Sequence, residues 1–290
     1  MRVLLAVDES PDSRHAARMI MHLAEPPDLH VLNVVDTEAL RHAYESPDMP
    51  AGYYETYRKE VSEAAERVLH EMKSELAPHA RHIRLIADTG DAAESIVQTA
   101  EESRADLVIL GQRGMTATPT FLLGGVSQKV ATYAACSVLV VKELPGTLER
   151  VLVAIDGSDE SRKVVQFLAR APFKAPLLVT AVMVWPDQQR ALLAPPRGLR
   201  DLPAAAKAAR ATGEEMLRTS TARLAAGPYT VATEWLHGDP PFALIEAATR
   251  HQAQMIVLGA RGMKAIQRFL LGSVSQKVLV HATCSVLIVR

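Results

Sequence analysis

Short apolar runs alternate with amphipathic stretches along this chain. Val3 to Val7, Leu29 to Val35, about Arg81 to Ala87, Leu107 to Leu110 and Cys136 to Val141 are predicted strands. The nearly continuous runs among them suit strands buried on both faces of a parallel sheet. Between them the period is helical. Ser10-Pro11-Asp12 offers an N-cap followed by proline at the first helical position, and Ala16, Ala17, Ile20, Leu23 and Ala24 share one face behind it. Glu55 to Leu76 carries Val61, Ala65, Val68, Met72 and Leu76 as an apolar stripe. Asp91 is placed to cap a helix running to about Arg104, with Ile96, Val97 and Ala100 inward, and another helix begins near Gly125. The order β-α-β-α-β-α-β-α-β predicts right-handed crossovers and an open parallel α/β sheet.

The same series starts again at Val151. Val3-Leu-Leu-Ala-Val-Asp8 returns as Val151-Leu-Val-Ala-Ile-Asp156, and Gly90-Asp91 as Gly238-Asp239. Gly111-Gln-Arg-Gly114 returns as Gly259-Ala-Arg-Gly262, and Gly124-Gly125-Val126-Ser127 as Gly272-Ser273-Val274-Ser275. Cys136-Ser-Val-Leu-Val-Val141 returns as Cys284-Ser-Val-Leu-Ile-Val289. Each pair is offset by 148 positions, so insertions and deletions between the copies are expected to cancel. A period this long marks a duplicated domain, since solenoid repeats are far shorter. The 290 residues then form two domains of ordinary size, 1–142 and 150–290, with a linker at about 143–149 that contains Pro145 and Gly146. The copies diverge most after the second strand. There Trp185 to Pro203, with four prolines and Arg190, Arg197 and Arg200, reads as a loop on the carboxyl side of the sheet. It is either a cover for a ligand or a surface insertion.

Composition narrows the function classes. A formal charge of −1 gives no bulk attraction to nucleic acid or an anionic membrane. No apolar run reaches the ~18 residues of a membrane span, and the N-terminus turns acidic too early for a signal peptide, so a cytoplasmic location is expected. The two cysteines, Cys136 and Cys284, are read as small apolar strand residues and not as a disulfide pair. The histidines do not recur at matching positions, and no nucleophile–base–orienter set, kinase signature or Cys/His metal cluster stands in the repeated core. No metal held by protein ligands alone is expected.

The repeated glycines carry the candidate chemistry. In an open parallel sheet, ligands sit beyond the carboxyl ends of the strands where strand order reverses. Asp8 and Gly111 close the first and fourth strands. Glycine lets a backbone approach a phosphate and adopt positive φ. Gly124-Gly125 and Gly272-Ser273 open helices, whose free N–H groups and positive dipole end favour an anion. The spacing matches neither a Walker loop nor the Gly-x-Gly-x-x-Gly dinucleotide fingerprint.

It resembles the ATP-binding branch of the universal stress protein family, whose pattern is Gly-x2-Gly-x9-Gly-Ser/Thr after the fourth strand of a five-stranded parallel sheet. The resemblance covers nearly the whole chain, twice, and implies two tandem Rossmann-like domains of the adenine-nucleotide alpha hydrolase type. It implies ATP as ligand, with Asp8 and Asp156 beside the adenosine and Ala6 and Ala154 alongside them. Val34 and Val182, ending the second strands, would offer backbone groups to the adenine edge. Gly111, Gly114 and Gly124, with Gly259, Gly262 and Gly272, would wrap ribose and phosphates. Gly125, Val126 and Ser127, with Ser273, Val274 and Ser275, would donate backbone N–H and hydroxyl groups to phosphate oxygens, and Arg113 and Arg261 would either reach phosphate or solvate the loop. Plainer alternatives stay open: the aspartates as turn caps, the glycines as helix caps, the serines as first-turn residues. Because an aspartate repels phosphate, a direct role there needs a bridging Mg²⁺.

The copies are not equivalent. The second has Ser273 and places Lys264 and Arg268 in its loop, whereas the first has Gly125 and no cation between Met115 and Leu123. The second is therefore expected to be the tighter site. Three functions follow: an ATP-dependent stress-response module, a slow ATPase or phosphotransferase, or an oligomerising structural protein with degenerate sites. The first is favoured, because a phosphate cradle is evident and a catalytic base is not. The resemblance also implies an internal pseudo-dimer through the last strands, and further assembly into homo-oligomers stays open. The protein partner is not legible.

Overall fold

The computed structural model describes residues 1–36, 53–115, 122–142, 146–185, 202–262 and 271–290. The chain divides into two units, Met1–Glu143 and Leu144–Arg290. The first holds strands β1 (Arg2–Ala6), β2 (Asp28–Val35), β3 (His82–Thr89), β4 (Leu107–Gly111) and β5 (Ser137–Val141). All neighbours are parallel, in the order β3-β2-β1-β4-β5. This is the predicted architecture. Order reverses between β1 and β4, so a crevice opens at their carboxyl ends. Val3, Leu4 and Leu5 of β1 and Leu107, Val108 and Ile109 of β4 are fully buried. The edge strand β3 instead mixes half-buried and exposed positions, and among the described residues its outer flank has no neighbouring strand.

Among the described residues four helices flank this sheet: α1 (Pro11–Arg18), α2 (Tyr53–Leu76), α3 (Ala92–Glu102) and α4 (Gly125–Tyr133). β2 meets both α2 and α3. Ser10 is the N-cap of α1, accepting from the Ser13 N–H, with Pro11 at the first helical position as predicted. The predicted face is only partly right. After Arg18 the chain tightens into a 3-10 turn at Met19–His22, which advances about three residues per turn instead of 3.6. Met19 is thereby carried into the core and Ala24 left exposed. β1 stops at Ala6, one residue early, yet Val7 stays buried and its N–H donates to the Leu32 carbonyl at 2.9 Å. The cysteines also differ from expectation. Each stands one residue before the last strand of its unit; Cys136 is half-buried and Cys284 buried.

The second unit repeats the plan with β6 (Arg150–Ala154), α5 (Asp159–Ala169), β7 (Leu178–Trp185), α6 (Leu202–Ala225), β8 (Thr230–His237), α7 (Pro240–Arg250), β9 (Met255–Gly259), α8 (Ser273–His281) and β10 (Ser285–Val289). Its strand order is β8-β7-β6-β9-β10. Residues 147–149 belong to this unit. Gln254 Oε1 accepts from the Glu149 and Arg150 N–H groups, Gln254 Nε2 donates to the Thr147 carbonyl, and Leu148 is buried. Of the predicted loop, residues 186–201 lie outside the described residues, Trp185 closes β7 and Pro203 stands in the first turn of α6.

The pairing register corrects one assumption. Ala6 pairs with Leu32 in the first unit, but Ala154 pairs with Val182 in the second. The second strands are thus offset by 150 positions, while β3 and β8 keep the offset of 148, since Asp28 pairs with His82 and Leu178 with Thr230. A two-residue insertion before β7 is compensated only after it. The counterpart of Val34 is therefore Val184, and Val182 corresponds to Leu32.

The units also fill their cores differently. Gly213 on α6 leaves room for the Trp235 indole: a Cβ there would lie 2.6 Å from Trp235 Cη2 and 3.0 Å from Met183 Sδ. Trp235 in turn packs beside Trp185 with ring centres 5.9 Å apart. β3 carries only Ala87 at the place of Trp235.

Candidate functional site

At the carboxyl end of β1 the chain must leave the sheet and start α1. Asp8 builds that turn. Its Oδ1 accepts from the Ser10 N–H (3.0 Å) and the Ser10 hydroxyl (2.5 Å), and its own N–H donates to Ser13 Oγ (3.0 Å). Oδ2 reaches across to accept from the Met115 N–H at 3.1 Å, beyond the first glycine pair. One carboxylate therefore fastens the β1–α1 turn to the loop after β4. Asp156 repeats the turn, with Oδ1 accepting from the Ser158 N–H (2.9 Å) and hydroxyl (2.6 Å). The capping alternative describes both aspartates.

The glycines of the loop face protein. A Cβ on Gly111 would lie 2.7 Å from the Asp12 carbonyl carbon and 2.8 Å from its oxygen, at the first turn of α1. On Gly114 it would meet Asp8 Oδ2 at 2.7 Å, and on Gly124 the Gln112 carbonyl oxygen at 3.0 Å. The second unit matches: Gly259 abuts Glu160, Gly262 abuts Asp156 Oδ2 at 2.8 Å, and Gly272 abuts Arg261 Cα at 3.2 Å. Positive φ is not the reason for any of them; in both copies it belongs to Gly90 and Gly238 of the Gly-Asp pair. These six glycines let the loop pack on itself and on the first helix. Gly125 differs, with nothing within 4 Å of its Cβ direction.

Gly124 and Gly272 are the N-caps of α4 and α8, and among the described residues no side chain caps either helix. The first-turn N–H groups at Gly125, Val126 and Ser127, and at Ser273, Val274 and Ser275, thus open beside the crevice. The hydroxyl expectation needs correction at two positions. Ser127 and Ser275 are buried, and their hydroxyls donate to the Gly111 and Gly259 carbonyls at 2.7 and 2.8 Å. A serine hydroxyl has one proton to give, so these two act as struts. Ser273 is exposed. Arg113 is drawn onto α1, its Nε 3.3 Å from Asp12 Oδ2. Arg261 is half-buried. Ala6 and Ala154 end their strands half-buried. Val34 and Val184 stand half-buried at the ends of β2 and β7, while Val182 is buried and its carbonyl accepts from the Ile155 N–H. Lys264 and Arg268 lie outside the described residues.

Two segments, residues 1–142 and 147–290, each match the family model described as Universal stress protein family. The chain belongs to the universal stress protein family. Universal stress protein YxiE of Bacillus subtilis is 28% identical over 148 residues, which are 49% of this chain and 98% of that protein. A universal stress protein of Mycolicibacterium smegmatis is 30% identical over 226 residues, 71% of this chain and 69% of that one. Among solved structures, a universal stress protein from Archaeoglobus fulgidus superposes with a TM-score of 0.65 at 21% identity, covering 100% of this chain and 96% of the other. That likeness establishes the fold.

In this universal stress protein Asp91 makes the predicted helix cap and also reaches the last helix of its unit. Asp91 caps α3, its Oδ1 accepting from the Glu94 N–H at 2.9 Å, while Oδ2 lies 3.1 Å from Lys129 Nζ on α4. Asp239 and Lys277 repeat the contact more loosely, at 3.9 Å. The legible signal was the lysine, which recurs four residues into each final helix. The Glu94 N–H and then the Lys129 ammonium hold the Asp91 carboxyl below its ordinary value of 3.8. A depressed folded-state value means that this stabilisation is present above about pH 3.8 and is lost as pH falls through the lower folded value. Asp91→Asn keeps a capping oxygen but no charge. Its deficit against the parent chain, read from urea midpoints, is expected to shrink between about pH 6 and pH 3. A deficit independent of pH counts against the ion pair. Among the described residues, no helix is long and apolar enough to cross a membrane, and no group of three or more His, Cys, Asp or Glu stands where it could hold a metal ion.

Proposed function

We propose that this universal stress protein is an adenine-nucleotide-binding regulatory module with one cradle per unit and ATP as ligand. The observation that carries the reading is duplicated: a helix start with no side-chain cap, following a glycine loop packed tightly on itself, at the carboxyl edge where strand order reverses. Uncapped amides and the positive end of the helix dipole suit phosphate oxygens. Gly125 to Ser127 and Ser273 to Ser275 receive the phosphates through their N–H groups. Gly111, Gly114, Gly259 and Gly262 let the loop pack close on the first helix and the aspartate, which sets it beside the ribose, with Ala6, Asp8, Ala154 and Asp156 along the adenosine. Val34 and Val184 present backbone at the adenine edge. Mg²⁺, carried by the phosphates, supplies charge neutralisation near the aspartates. The output is a bound-state conformation or partner contact.

The second cradle is the tighter. Ser273 adds an exposed hydroxyl where Gly125 has none. A hydrogen bond to a charged group contributes ~1.5–3 kcal/mol, roughly tenfold or more in affinity. Isothermal titration of the full chain with ATP and magnesium tests both statements. Ser273→Gly is expected to weaken the tighter site about tenfold and Gly125→Ser to strengthen the weaker one. Titrations without binding by ATP, ADP or AMP reject the module. Binding that is insensitive to both substitutions rejects the asymmetry.

A further inference from the structure

The second unit places a thioether on its strand-to-helix turn. Met216 on α6 is 40% exposed. Its sulfur rests on Gly157, where a Cβ would lie 2.4 Å from Sδ. Gly157 has φ +81°, a conformation that glycine adopts without steric cost. It stands between Asp156 and Ser158, whose two hydrogen bonds make the turn, and Asp156 Oδ2 borders Gly262 of the loop. A contact path thus runs from Met216 through Gly157 and Asp156 to the glycine loop. The first unit has Glu9 in place of Gly157. Met183 and Met255 of the same unit are buried, so Met216 is the exposed methionine at this turn among the described residues.

We propose that Met216 is an oxidation-sensitive latch on the turn of the second unit, with a hydroperoxide as its reactant. A sulfur lone pair attacks a peroxide oxygen, forming the S–O bond as the O–O bond breaks. The thioether is oxidised to the sulfoxide. The peroxide is reduced to water or an alcohol, whose oxygen keeps or takes up the displaced proton. Oxidation turns a flexible apolar side chain into a polar one. No space lies between the sulfur and Gly157 for the added oxygen, and solvent is at hand, so the side chain leaves the turn. The Asp156–Ser158 turn then opens more often.

Hydrogen peroxide treatment of the full chain, followed by peptide mapping and amide hydrogen exchange, tests this. Met216 is expected to gain oxygen together with the 63% exposed Met115. The Ser158 and Ser161 amides, bonded to Asp156 Oδ1 and Ser158 Oγ, are expected to exchange about tenfold faster, while those of Glu94 and Ser95, bonded to Asp91 at the start of α3, stay unchanged. Met216→Leu keeps the bulk and is expected to abolish the response. Three results overturn the latch: Met216 unmodified when Met115 is oxidised, exchange unchanged after oxidation, or the same acceleration in Met216→Leu. None of these readouts needs a nucleotide. The link to the cradle rests on the function proposed above and has its own readout. Weaker ATP binding by the second unit of the oxidised chain supports it, and unchanged binding overturns it.

Discussion

Gly111→Ala is expected to destabilise the first unit by about 1–3 kcal/mol, the range for forcing extra atoms into a packed site. The new methyl would stand 2.7–2.9 Å from three atoms of Asp12, two of them backbone at the first turn of α1. Backbone held by Ser10 capping and by the sheet cannot swing aside as the end of a flexible side chain can. Either α1 lifts from β4 or the loop leaves α1, and both movements disturb the crevice. Gly125→Ala is the matched control. It adds the same methyl at the start of α4, where nothing lies within 4 Å, and is expected to be neutral or to stabilise by about 0.4–1 kcal/mol. Urea unfolding of the full chain, followed by circular dichroism, separates the two. Equal midpoints for both variants would remove the packing explanation of the loop glycines.

The second large effect concerns Asp8. Asp8→Ala removes the acceptor for the Ser10 N–H, the Ser10 hydroxyl and the Met115 N–H together. Ser10 is buried, so water does not readily replace the lost partner. Hydrogen bonds to a charged group contribute about 1.5–3 kcal/mol each. They are not additive within one cluster, and a loss near 2–3 kcal/mol is expected. Asp8→Asn, which keeps one acceptor oxygen, should lose less. The clamp role predicts lowered stability without any ligand present. An Asp8→Ala chain with the parent's unfolding midpoint but weakened ATP binding would assign the carboxylate to the ligand instead.

Much of this molecule was legible in its residues. The strands, their order of appearance and the Ser10-Pro11 helix start follow from apolar runs and capping chemistry, which act locally. The doubled motif located the crevice, because a repeated spacing fixes position without any knowledge of contacts. What failed depended on neighbours distant in sequence. Gly111 and Gly114 look like phosphate-approach glycines until Asp12 and Asp8 are seen against them. Ser127 reads as a phosphate donor until the Gly111 carbonyl is found 2.7 Å away. Ala24 was lost to a 3-10 turn whose tightening has no strong residue signature. Val182 follows from a uniform offset of 148, and only strand pairing shows that the offset slips inside one element.

That slip bears on how the two halves can be recombined. A chimera spliced at matching numbers within β2 and β7 would draw its strand two residues out of place. Side chains would still alternate correctly, inward and outward, because the strand period is two. The hybrid would therefore fold without an obvious fault in its interior. Its strand tip, however, would sit about 7 Å from where the cleft needs it. Domain shuffling in this chain has to respect pairing, and a hybrid built by arithmetic would be well packed and mute.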